Sequence, residues 1–276
     1  MCAQGDCAAT CLADIGGETE VLRGWLDALE DGYWLNHDAE ALVWHAHEVE
    51  AARAGGEAVH IAARVRPVQS VTEVLVYAPD RAGLFASLAA AISASGADIA
   101  GARVHTTKDA AAVDVFSIQT TDHKPFGAHD PSTLDTLLMR LKRAALEDHA
   151  LPAAAPTPRR SAVFAIEPWV RVDNDITPSA TVIEASGRDR LGLLAELAHV
   201  CAEAKISIVS AHIDTYGVRA SDVFYVQDEA GGQVADTRRL VTLRNKLEGV
   251  LRAAEPAAPA DPAKAPLAVG RASTGR

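Results

Sequence analysis

Residues 72–84 read TEVLVYAPDRAGL, and residues 181–193 read TVIEASGRDRLGL. In each, a run rich in β-favouring residues (72–78 and 180–186) ends in Asp-Arg-x-Gly-Leu and passes straight into an amphipathic helix pattern. The matching extends past the loops. Leu88-Ala89 answers Leu197-Ala198, and Ile99, Ala102 and Val104 answer Ile208, Ala211 and Ile213. Once one residue is dropped, Asp114-Val115-Phe116 answers Asp222-Val223-Phe224. Repetition of this length marks two copies of one module.

Outward from the loops, each copy carries the same order of elements. A strand pattern at 59–65, with Val59, Ile61, Ala63 and Val65 alternating against His60, Ala62 and Arg64, precedes the first copy. A pattern at 163–172 precedes the second in the same way. Within the first copy the expected elements are a strand over 72–78, a helix over 84–94 stopped by Ser95-Gly96, strands over 98–107 and 112–121, and a helix over 131–147. The last helix of the second copy is expected over 236–253, with no strand after it. Strand-helix-strand-strand-helix-strand is the ferredoxin-like arrangement, so the expected fold class is α+β, with antiparallel sheets carrying helices on one face. The strand in front of each copy is then the natural occupant of the vacant sheet edge, in its own module or, for 163–172, in the first.

The chain divides on this reading into a helical segment at 20–56, modules at 57–150 and 162–253, and an Ala- and Pro-rich linker at 151–161. Residues 1–19 lack periodicity and are expected to be disordered or a truncated remnant, and 254–276 to be a disordered tail. Two short helices in 20–56, one holding Leu22, Trp25, Leu26 and Leu29 and one over 38–53, look like the end of a larger helical region.

With 276 residues, 49% hydrophobic and 23% charged, the chain can bury ordinary cores. A formal charge of −11 argues against nucleic acid or an anionic membrane as partner, since both need a basic field. The apolar stretch 84–92 is far short of the roughly 20 residues that span a bilayer, so a cytoplasmic location is expected. Cys2, Cys7 and Cys11 lack a Cys-x-x-Cys clip and a nearby His, and Cys201 reads as a small core residue.

Two chemistries are open to the loops. Gly83 and Gly192 lie where a strand becomes a helix, leaving first-turn amides that suit a carboxylate, with Asp80 or Asp189 available to an ammonium group. Alternatively Asp caps the helix and Gly serves only a tight turn. Asp98-Ile99 or Ile206-Ser207, at the start of the following strand, line the opposite wall if a second module packs alongside. The copies differ after the helix: Gly96-Ala97-Asp98 stands against Ala204-Lys205-Ile206, and Lys205 either blocks or completes the second socket.

The runs VLVYAPDRAGLFASLAAAISASGADIAGARVHT (74–106) and TVIEASGRDRLGLLAELAHVCAEAKISIVSAHIDTYGVRASDVFYVQD (181–228) resemble the ACT domain, a small-molecule sensing module. Joined by FAIEPWVRVDNDITPSATVIEASGRDRLGLL (164–194), the pair is similar to the tandem that ends the uridylyltransferase/uridylyl-removing enzymes of the P-II signalling protein. The resemblance implies binding of an amino acid, glutamine in that family, at Asp80, Arg81, Ala82, Gly83, Leu84, Asp98 and Ile99. In the second copy it implies Asp189, Arg190, Gly192, Leu193, Ile206 and Ser207. It also implies P-II as partner; the alternative, argued from open sheet edges, is an assembly module whose copies pair through ACT sheets without binding ligand.

Catalysis is not expected from this chain alone. Nucleotidyl transfer needs a Gly-Ser phosphate loop with paired Asp residues for metal, and the sequence has no Gly-Ser dipeptide, so Mg²⁺ and UTP belong to a catalytic part elsewhere. Asp173-Asn174-Asp175 has metal-ligand spacing but reads as a turn. His37-Asp38 and His129-Asp130 read as helix starts.

Overall fold

The computed structural model describes Leu29, Tyr33 and residues 37–147 and 166–253. The expectations for 1–19, the linker, the tail and most of the first short helix lie outside the described residues. Helix α1 (Ala39–Ala54) comes first, capped by Asp38, whose carboxylate accepts from the Ala41 amide at 2.8 Å. The first module follows as β1 (His60–Arg66), β2 (Val71–Pro79), α2 (Leu84–Ala94), β3 (Asp98–Thr106), β4 (Ala111–Gln119) and α3 (Pro131–Leu146). The second repeats it as β5 (Trp169–Asp173), β6 (Thr181–Arg188), α4 (Leu193–Glu203), β7 (Ser207–Tyr216), β8 (Arg219–Gln227) and α5 (Thr237–Ala253).

Among the described residues the strands form one eight-stranded sheet in the order β1-β2-β4-β3-β7-β8-β6-β5, antiparallel at every pairing. Each leading strand occupies the vacant edge of its own module: β1 pairs with β2, and β5 with β6. Each half is thus a ferredoxin-like sheet whose fourth strand comes from in front of the repeat. The halves join where β3 meets β7, with Ala102 opposite Ile213 and Val104 opposite Ala211. Gly101 makes this approach possible, because a Cβ there would stand 3.2 Å from the Ile213 carbonyl oxygen. Arg103 ties the seam, donating to the Ile213 carbonyl and to Asp214 Oδ1 at 3.1 Å.

Alternation along the strands sorts the two faces. Val74, Val76, Ala78, Ala112, Phe116 and Ile118 turn to the helix-covered side and share one buried cluster with α2, α3, α4 and α5. Because α2 packs on α4, that cluster runs without a break from one module into the other. On the reverse face Leu75, Val113 and Val115 pack against Leu42, Ala46 and Val49 of α1 and against Leu29 and Tyr33. This explains how the helical segment finds its partner: it covers the back of the first module's sheet.

Four histidines lie at or beside that contact. Tyr33 stands over His37 and His105 at ring separations of 4.8 and 4.9 Å, and its hydroxyl lies 2.6 Å from His45 Nδ1. Burial holds His37, His45 and His105 at about 3, well below the ordinary imidazole value, so all three are neutral. His212, half-buried beside Arg103, is lowered less.

Candidate functional site

The first loop is shaped by its glycine. Gly83 adopts φ 78°, a left-handed conformation that favours glycine, and occupies the N-cap position of α2 without any side-chain cap. Asp80 therefore does not cap the helix. Its backbone amide donates to the Ala110 carbonyl, and its Oδ2 accepts from Thr106 Oγ1 at 2.9 Å. Asp80 sits at an exposed rim, yet partial loss of water raises its carboxyl, against the pull of the Thr106 hydroxyl and the Arg81 amide. Arg81 turns away and donates to the Ala144 and Glu147 carbonyls at the end of α3. Its guanidinium is thus spent on satisfying a helix C-terminus.

Beneath the loop lies a cavity shared by the modules. The first supplies Asp80, Arg81, Gly83, Leu84, Phe85 and Ala86 from the loop and helix start, with Val104, Thr106, Ala112 and Asp114 from the strands. The second supplies Ala198 and Ala202 from α4, and Ile206 and Ile208 at the start of β7. The Leu84 amide is taken by the Arg81 carbonyl at 3.1 Å, while the Phe85 and Ala86 amides fall in the first turn of α2, where intrahelical carbonyl partners are lacking. The cavity measures about 20 Å³, room for a single water.

The second loop repeats this backbone, with Gly192 at φ 84° and Leu193 donating to the Arg190 carbonyl. Its side chains are used differently. Arg190 is buried and bidentate to Glu196, with Nη1 and Nη2 at 2.6 and 2.7 Å from the two carboxylate oxygens. Asp189 and Asp98 are both buried and line a separate concavity with Gln119, His123 and Thr215. The walls are therefore crossed: Ile206 of the second module faces the first loop, and Asp98 of the first faces the second. Ile99 and Leu193 lie in the apolar cluster, Ser207 pairs with Gln227 in the sheet, and Ala82 does not line the first cavity.

Lys205 neither blocks nor completes a socket. Its ammonium lies 3.5 Å from Glu229 at the surface, and its backbone, at φ 57°, closes α4 as Gly96 at φ 77° closes α2. Asp130 caps α3 through the Ser132 amide, and Asp173 accepts from the Asp175 amide within its turn. Two carboxyls were not among the expected site residues. Asp114 on β4 and Asp222 on β8 are 1% and 3% exposed, each with an Oδ1 that has no hydrogen-bond partner. Their signal was present in the repeated Asp-Val-Phe, a charged residue at a position whose neighbours two away are core.

Two stretches, 72–137 and 181–239, match the model of the ACT domain. The chain carries two ACT domains. Among curated relatives, the bifunctional uridylyltransferase/uridylyl-removing enzyme of Caulobacter vibrioides (strain NA1000 / CB15N) is 44% identical over 261 residues, covering 92% of this chain and 27% of that enzyme. The enzyme of the same description from Phenylobacterium zucineum is 43% identical over 243 residues, covering 87% of this chain and 25% of that one. That from Gluconobacter oxydans (strain 621H) is 36% identical over 245 residues. The ACT chain spans about a quarter of the length of these relatives. Among solved structures, aspartate kinase from Synechocystis overlaps 66% of the chain at 15% identity with a TM-score of 0.38, too loose a likeness to carry an argument. No described helix is long and apolar enough to cross a membrane.

Proposed function

We propose that this ACT tandem is an amino-acid-sensing regulatory module, with glutamine as ligand, serving a uridylyltransferase/uridylyl-removing activity on a P-II signalling protein in nitrogen regulation. The observation that carries the reading is the cavity built by both modules, with helix-start amides and a carboxylate within one small space. An amino acid presents the complementary pair, a carboxylate for the amides and an ammonium group for Asp80. Because the cavity has room for about one water and is lined by both α2 and α4, admitting an amino acid is coupled to a change in the α2–α4 packing, which is what a regulatory site requires. Mg²⁺ and UTP are assigned to the catalytic part of the enzyme, and the setting to the cytoplasm. The net charge of −11 supports a role without nucleic acid or membrane.

Calorimetry with a panel of amino acids tests this. Glutamine at millimolar concentration is expected to give saturable heat; a folded sample that gives none with any amino acid overturns the reading. A second reading, an assembly module without ligand, is favoured by the small cavity and by the Arg81 and Arg190 Nη groups already donating within the fold. Light scattering after size exclusion discriminates, since a ligand-independent dimer together with silent calorimetry supports assembly.

A further inference from the structure

Asp114 is a carboxyl in an apolar layer. On β4 it stands opposite Val76 of β2 and Val104 of β3, facing the helices in the same row as Ala112 and Phe116. Its carboxyl accepts from the His105 backbone amide, and its Oδ1 has no partner. An ionised carboxylate held like this is costly. Burial first, and then the neighbouring Asp80 charge, push Asp114 well above the ordinary carboxylate range, favouring its neutral form.

The charged and titratable groups around it are few. The loop contributes Asp80 and Arg81, and the Arg81 guanidinium is engaged with α3. From β3 come Val104 and Thr106, and from the second module only Ala198, Ala202, Ile206 and Ile208. The cavity thus has amides at the α2 start, one carboxylate at the rim that already accepts from Thr106, and one unsatisfied carboxyl oxygen at depth. An ammonium group stripped of water needs more than the rim carboxylate. Asp114 is the acceptor within reach of the same space.

We infer that Asp114 is the buried counter-ion for the ammonium group of an amino acid at the first-loop site, and that ligand binding releases the Asp114 proton to solvent. The inference rests on the amino-acid-sensing reading above. The bond broken is the Asp114 carboxyl O–H: the ligand keeps its ammonium, the carboxyl becomes a carboxylate paired with it, and one proton passes to solvent or buffer per ligand bound. Apparent affinity then rises about tenfold per pH unit until Asp114 titrates in the unliganded protein, and levels off above that until the ligand's own ammonium deprotonates.

Calorimetric titration of glutamine into the whole chain at several pH values, in buffers of differing ionisation enthalpy, measures the released proton. One proton per ligand and the tenfold slope are expected. Asp114→Asn is expected to abolish both, whereas Asp222→Asn, altering the equivalent carboxyl of the second module, keeps them. Circular dichroism checks that each variant is folded. The analogue lacking the amino group, 4-carbamoylbutanoate, is expected to release no proton, and ammonium chloride alone none, which separates an amino acid from a free ammonium ion. Binding without proton release, release that survives Asp114→Asn, or release driven by ammonium chloride overturns the inference and leaves amino-acid sensing standing. No binding by any amino acid overturns both.

Discussion

Tyr33, His37, His45 and His105 meet behind the first module's sheet, and each imidazole is neutral because protonation there would bury a charge among other rings. The folded values of about 3 lie below the usual 6.5, so the native state binds fewer protons than the unfolded chain. Stability from this cluster is therefore complete above pH 6.5 and is lost as pH falls from 6.5 toward 3, at about 1.4 kcal/mol per pH unit for each histidine. Chemical denaturation at pH 7.5, 6.0 and 5.0 should show this slope, and His105→Asn should reduce it by one proton's share. A slope unchanged by the substitution would mean that His105 is not held neutral. Asp114 and Asp222 depart from their ordinary values in the other direction, each raised by the same desolvation acting on an acid.

At the level of elements, the end of α4 carries a conformational cost that α2 avoids. Both helices close with a left-handed residue, and the Ile206 amide reaches back to the Cys201 carbonyl as the Ala97 amide does to Ile92. Gly96 adopts this geometry freely, but Lys205 brings a Cβ to it. Lys205→Gly should raise the unfolding free energy by about 0.5–1 kcal/mol, the left-handed cost less the entropy of glycine. Equilibrium denaturation checks it, and destabilisation would count against the assignment. Elements of this kind were largely legible in the sequence, because a strand period of two and a helix period near 3.6 are local: the expected 84–94 helix is α2, and the expected 38–53 helix is α1 after its Asp38 cap. Less legible were facts that need a partner in space. Alternation could not choose which sheet edge 163–172 joins, and nothing near His45 in the chain announces His105 sixty residues later. The loop aspartates were readable as site candidates, whereas Asp114 was readable only as half of a repeat, since its burial depends on α2, β3 and α4 together.

For the whole molecule, the decisive feature is that β3 and β7 take each other as partners, so the inner edges of both modules are consumed within one chain. Assembly of copies through sheet edges is left with β1 and β5. The same seam carries the apolar cluster across the modules and sets Ala202 of α4 against the first loop, where a Cβ on Gly83 would lie 3.7 Å from the Ala202 Cβ. The first-loop cavity is lined by both modules, so on the proposed reading a ligand there contacts both ACT domains. The direct measurement is glutamine affinity by calorimetry for the unaltered chain and for Ala202→Phe, which fills the first cavity from the second module's side and leaves the loop's own residues unaltered. With the variant folded by circular dichroism, affinity should fall at least about 100-fold, or roughly 2.7 kcal/mol. Undiminished affinity would contradict a ligand site shared between the two modules at the first loop.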